Sequence, residues 1–136
     1  MFNPGDHVFL IGEGDLSFAV ALVQSLGKSI SIVATALDSE SAVRSKHKEG
    51  LFNMKWLRAA GVQVECGTDC PALNEVNGFR SSSTKIVFKF PYLEMDRDQS
   101  VEGHRELLRS FFASAVSCLK PSSDAEICVT IKSGEP

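Results

Sequence analysis

Residues 7 to 15 read His7-Val8-Phe9-Leu10-Ile11-Gly12-Glu13-Gly14-Asp15, a short apolar run broken by a glycine-marked turn. Four consecutive large apolar residues leave no polar face, as expected of a central parallel strand buried between two helical layers. Gly12 and Gly14 permit a tight bend and the close approach of a ligand, because neither carries a Cβ. Beyond the turn Leu16, Ala19, Val20, Val23 and Leu26 recur at helical spacing, with Asp15 placed to cap the helix and Gly27 to stop it. The stretch is a strand, a glycine turn and a helix.

Outward from this unit the same alternation repeats. Ile30 to Leu37 is a second apolar strand ending at Asp38, and Ser39 can cap a helix running to Lys48. A further helix covers Leu51 to Ala60 and stops at Gly61. Val62, Val64 and Cys66 alternate with polar residues, which suits a half-buried strand near a sheet edge, closed by Gly67-Thr68-Asp69. Pro71 to Thr84 reads as loop, Ile86 to Phe90 as a fourth strand ended by Pro91, and Glu94 to Gly103 as a second loop. Leu107, Leu108, Phe111, Phe112, Ala115, Val116 and Leu119 form a long helical stripe, with Lys120 favourable at its negative end and Pro121 stopping it. Ile127, Val129 and Ile131 alternate as a fifth strand. Strands alternating with helices predict an α/β fold, a Rossmann-like parallel sheet with helices on both faces.

The chain of 136 residues has the size of one domain, and 43% hydrophobic residues suffice for a core, so residues 1–136 are expected to form a single unit. A formal net charge of -3 supplies no overall attraction to a phosphate backbone, so contact with RNA would need a local basic patch. Arg44, Lys46, Lys48, Lys55 and Arg58 are the candidate patch, although helix surfaces routinely carry such charges and Glu49 interrupts it. Cys66, Cys70, Cys118 and Cys128 lack histidines at zinc-like spacing and are expected to be reduced, mostly buried thiols, with no metal site. No basic segment precedes the first apolar run, and no run approaches the roughly 20 apolar residues that span a bilayer. The expectation is a soluble intracellular protein with no membrane partner.

In a doubly wound sheet, ligands bind beyond the carboxyl ends of the strands, where the first glycine turn lies. Gly12, Glu13, Gly14 and Asp15 are therefore the prime binding candidates. The dinucleotide pattern G-x-G-x-x-G fails at its third position, occupied by Ser17, and the two acids would repel a pyrophosphate. They suit a cationic nucleoside such as S-adenosylmethionine, which carries a sulfonium and no phosphate; alternatively both acids only cap the helix. Asp38 ends the second strand near the spacing of about 20 residues at which an acid accepts hydrogen bonds from ribose hydroxyls. Asp69, closing the third strand, is a candidate for the adenine amino group, or an ordinary turn residue.

Taken together, Val8 to Phe18 (VFLIGEGDLSF), Ala36 to Glu40 (ALDSE), Phe88 to Tyr92 (FKFPY), Phe111 to Ala115 (FFASA) and Val129 to Pro136 (VTIKSGEP) resemble the 25S rRNA (uridine-N3)-methyltransferase-like family. The resemblance implies a Rossmann-like methyltransferase fold with strand order 3-2-1-4-5 in the part present, S-adenosylmethionine as donor, and uridine N3 of ribosomal RNA as acceptor. It also implies a nucleolar or nuclear location. By position it puts Gly12, Glu13, Gly14 and Asp15 on the cofactor loop, Asp38 on the ribose and Asp69 beside the adenine. Lys89 and Tyr92 stand where the family usually has Asn and His, in the segment facing the substrate. A cation at Lys89 would stabilise negative charge on a uracil oxygen, and Tyr92 would stack on a base. The family sheet continues to seven strands, so five predict a core truncated at its C-terminus, with a fifth-strand edge covered by a partner or a missing segment. A non-catalytic RNA- or protein-binding module on the same fold is the principal alternative. An NAD-dependent dehydrogenase is disfavoured by Ser17 and the acidic turn.

Overall fold

The computed structural model describes residues 2–12, 14–67, 83–89, 101–121 and 125–130, with only the main chain for residues 89, 101 and 104. Five strands run parallel: β1 (His7–Ile11), β2 (Ser31–Ala36), β3 (Gln63–Cys66), β4 (Lys85–Lys89) and β5 (Glu126–Thr130). Their order is β3-β2-β1-β4-β5, as expected, and every neighbouring pair is parallel. Residues Val8, Phe9, Leu10 and Ile11 of the middle strand are at most 2% exposed, so both faces of β1 are covered.

Alternation along β1 divides the core in two. Val8 and Leu10 pack with Leu16, Ala19 and Leu22 of the first turn and helix α1 (Ser17–Leu26), and with Met54 and Leu57 of α3 (Gly50–Ala59). Phe9 and Ile11 face the other way, onto Leu107, Phe111, Ala115 and Cys118 of α4 (Val101–Cys118). Phe88 and Phe111 meet edge to face there, ring centroids 4.8 Å apart. Helices thus cover both faces of the sheet. The short α2 (Glu40–Lys46) joins α3 on the first side.

Several boundaries differ from the sequence reading, each for a local reason. Asp15 is not the N-cap of α1; Leu16 holds that position in the left-handed region (φ 66), and the Asp15 carboxylate accepts the Ser17 N–H at 3.0 Å. The predicted stop does hold, for Gly27 (φ 52) closes α1 by donating to the Val23 carbonyl. Ser39 caps α2 through an Ala42 N–H bond of 3.3 Å, but the helix ends at Lys46, short of Lys48, because His47 is extended. The loop expected to reach Gly103 is already helix from Val101, where Glu102–Arg105 and Glu106–Arg109 pair one turn apart. Of the thiols expected to be mostly buried, Cys118 is enclosed while Cys66 and Cys128 are half-buried; Cys70 lies outside the described residues. Burial raises the pKa of all three described thiols. Among the described residues no helix is long and apolar enough to cross a membrane.

The fourth strand begins one residue earlier than predicted, and that residue is a lysine 1% exposed. Its Nζ lies 3.4 Å from an Asp6 carboxylate oxygen. The same carboxylate accepts the Asn3 N–H at 2.7 Å and the Thr84 hydroxyl at 2.8 Å, and Thr84 Oγ1 accepts the His7 N–H at 2.9 Å. This cluster joins the amino ends of β1 and β4. Burial works against the charged carboxyl of Asp6, but the bonds from Asn3 and Thr84 and the Lys85 ammonium outweigh it and hold its pKa below the ordinary value. A carboxyl lowered in the fold contributes stability above its unfolded value of about 3.9, and that contribution is lost as pH falls through the folded value.

Replacing Lys85 with Ala leaves the Asp6 carboxylate buried without its cation and is expected to cost about 3–5 kcal/mol in urea unfolding. In Asp6→Asn the decline of unfolding free energy below about pH 4 should become shallower than in the parent protein. A Cβ at Gly50 would stand 2.6 Å from Val43 Cγ1 and 2.9 Å from the Val43 carbonyl oxygen, so α2 and α3 meet through that glycine. Gly50→Ala should therefore destabilise by about 1–3 kcal/mol, and Val43→Ala in the same chain should restore only part, since the carbonyl stays. Thermal melts of the single and double variants check this.

Candidate functional site

The carboxyl ends of four strands converge and are linked by a series of contacts. Gly12 ends β1 with φ 72, a conformation suited to glycine, and a Cβ there would lie 3.0 Å from the Phe88 ring of β4. Phe88 pairs with Ile11, so Lys89 follows at the level of the turn. Gly14 faces the His47 imidazole, whose Cε1 would be 3.4 Å from a Cβ at that position. The same ring places Nε2 3.9 Å from the Asp38 carboxylate. Asp38 in turn accepts the Gly67 N–H on its main-chain oxygen at 2.8 Å, which brings the end of β3 to the rim. One imidazole therefore spans the gap between the glycine turn and the acid after β2.

The acids here are not equivalent. Asp38 has a side chain 22% exposed and is bonded to the Lys46 ammonium at 3.2 Å, a partner itself 58% exposed. Such an exposed pair contributes little and is readily exchanged for another donor. Asp15 is half-buried and spends its carboxylate on the start of α1. The Ser17 side chain, against the opposing effect of partial burial, and then the Ser17 N–H and nearby His47 hold its pKa below the ordinary carboxylate value. Asp15 thus shapes the turn, while Asp38 has an oxygen at the surface to offer.

Of the residues singled out by sequence, Gly12, Gly14, Asp15 and Asp38 lie around this one corner. Glu13, Asp69 and Tyr92 fall outside the described residues, and Lys89 is described by its main chain alone. The basic stretch is partly committed elsewhere: Lys46 to Asp38, and Arg58 to Glu40 at 2.8 Å and the Val64 carbonyl at 3.1 Å. Among the described residues no three His, Cys, Asp or Glu side chains are grouped to hold a metal. A groove lined by Val23, Gly27, Ser31 and Gln63 opens at the amino ends of β2 and β3, the wrong end of an α/β sheet for its ligand.

Two neighbours of the corner escaped the sequence reading. His47 follows the end of α2 and carries no periodic signal. Asn53, only 9% exposed, donates its side-chain N–H to the Asp15 carbonyl at 2.8 Å. A signal for it exists: Gly50, Asn53, Met54 and Leu57 share the buried face of α3, and a polar residue on an apolar stripe must find a partner.

Comparison with known proteins agrees with this architecture. The solved structure of TrmN from Thermus thermophilus superposes with a TM-score of 0.67 at 17% identity, covering 93% of this chain and 33% of that one. Phosphoethanolamine N-methyltransferase 2 from Haemonchus contortus, solved with S-adenosyl-L-methionine, gives 0.62 at 15% identity, over 96% and 25%. At these identities the likeness is one of fold. In sequence, an uncharacterized protein of Arabidopsis thaliana is 30% identical over 99% of this chain and 67% of its own length. The mouse ferredoxin-fold anticodon-binding domain-containing protein 1 homolog is 34% identical over 95% of this chain. The chain spans only 20% of that mouse protein. The BMT5-like family model, rRNA (uridine-N3-)-methyltransferase BTM5-like, matches residues 9–136, and the chain belongs to that family.

Proposed function

We propose that this chain is the cofactor-binding core of an S-adenosylmethionine-dependent methyltransferase acting on uridine N3 of ribosomal RNA, in the nucleolus or nucleus. The observation that carries the reading is the juxtaposition of Gly14 and Asp38 across a single imidazole, in a chain whose family is described by that reaction. The corner fits such a donor on three counts. It has a bend at which Gly12 and Gly14 carry no Cβ, a carboxylate whose exposed lysine partner can yield to ribose hydroxyls, and two carboxylates, Asp15 and Asp38, to favour a cationic nucleoside.

When bound, the donor supplies a methyl group activated by its sulfonium. The protein's share is positional. Gly12 and Gly14 let main chain approach the ligand, Asp38 accepts from the ribose, and by family position Glu13 lies on the cofactor loop and Asp69 beside the adenine. Holding the uracil nitrogen in line with the methyl group supplies much of the rate, because orientation entropy is spent in binding. N3 must also lose its proton, which passes to solvent water as the nitrogen takes the methyl group; Lys89, next to the turn on β4, offsets charge building on a uracil oxygen, and Tyr92 stacks on the base.

Calorimetry should show S-adenosylmethionine binding to the protein and NAD failing to bind, with Asp38→Ala weakening the methyl donor by about tenfold or more, as expected for loss of a charged acceptor. Binding of NAD instead, or of neither ligand, contradicts the reading. Transfer of labelled methyl groups to ribosomal RNA, with N3-methyluridine identified by mass spectrometry, tests the acceptor. Lys89→Ala should lower turnover while leaving donor affinity unchanged; equal turnover removes Lys89 from the mechanism. Donor binding with no transfer to any RNA would favour a non-catalytic module on this fold.

A further inference from the structure

We infer that Asn53 is a positioning residue for the candidate cofactor turn, holding the Asp15–Leu16 peptide in the orientation a nucleoside ligand requires. The inference rests on the proposed function for its ligand, though not for its structural part. Leu16 is a non-glycine residue at φ 66, ψ 15, a conformation L-residues resist because Cβ crowds the neighbouring carbonyl. It is also fully buried, so its side chain serves the core under α1 while its backbone is under strain. The peptide unit preceding Leu16 carries the Asp15 carbonyl, and turning that unit changes the φ of Leu16 directly.

Asn53 grips this carbonyl at 2.8 Å from a different element, α3, thirty-eight positions along the chain. The Ser17 N–H bond to the Asp15 carboxylate, by contrast, is local and moves with the bend. Asn53 is therefore an anchor outside the turn that fixes the peptide plane. Gly50, a turn earlier on α3, lets that helix lie close against α2 and so belongs to the same arrangement. A purely structural asparagine would satisfy its own burial and leave the ligand indifferent to its loss.

Asn53→Leu removes the donor at similar volume, and Leu57→Ala, on the same buried face of α3, serves as a destabilised control with the tether intact. Calorimetric titration with S-adenosylmethionine and amide hydrogen exchange at residues 14 to 17 without ligand are measured on all three proteins, well below their melting temperatures. Asn53→Leu is expected to weaken binding about tenfold, the scale of one well-made hydrogen bond, and to speed exchange at Leu16 and Ser17. Leu57→Ala should melt at least as early yet keep donor affinity within about twofold. Unchanged affinity and exchange in Asn53→Leu overturn the inference, as does an equal loss of affinity in the control. Should the parent protein bind no S-adenosylmethionine, the proposed function fails separately, and exchange at Leu16 and Ser17 still decides whether Asn53 holds the bend.

Discussion

The backbone of β1 has no access to water. Four of its five residues are buried, so its N–H and C=O groups must be matched by neighbouring strands, and β2 and β4 do so along parallel registers. That constraint fixes more than the strand itself. Parallel neighbours on both sides require crossovers that pass over the sheet faces, which places α1 on one face and brings all carboxyl ends to one edge. The glycine turn lies at that edge because β1 ends there. At the opposite edge Asp6, Thr84 and Lys85 lock the entry of β1 against β4, so the register cannot slip without exposing a buried charge.

The corner formed at the carboxyl edge holds two carboxylates, Asp15 and Asp38, and the second is met by side chains that follow it in the chain. Lys46 and His47 both approach Asp38, one exposed and bonded, the other wedged against Gly14. These contacts are weak enough to be exchanged. Asp15 differs because its carboxylate is spent on the start of α1, so it shapes the turn, whereas the Asp38 carboxylate, beyond the end of β2, is held by an exposed lysine and a neighbouring imidazole.

Much of this was legible in the sequence because it is periodic or punctuated. The unbroken apolar run at Val8–Ile11 identified the central strand, Gly27 stopped α1 as glycine does, and Ser39 capped α2. What stayed hidden depends on partners remote in sequence. Lys85 falls just ahead of the strand expected from Ile86, and no local pattern announces its meeting with Asp6. The early start of α4 rests on charge pairs in a stretch whose polarity suggested loop. The cap of α1 shifted from Asp15 to Leu16 because burial of a leucine outweighed its backbone strain. In the candidate site the glycines and Asp38 were visible, whereas Asn53 and His47 matter through geometry that only folding supplies.

The division of the core by the sheet separates two kinds of work. The face bearing α1, α2 and α3 supports the glycine bend, and its packing is tied to the shape of that bend through Leu16, Gly50 and Asn53. The face bearing α4 touches the bend chiefly through Phe88, and α4 turns Phe112 and Val116 outward, 42% and 63% exposed. A substitution in the first veneer therefore reaches the glycine bend through Asn53 and Leu16, whereas one under α4 reaches it through the Phe88 ring.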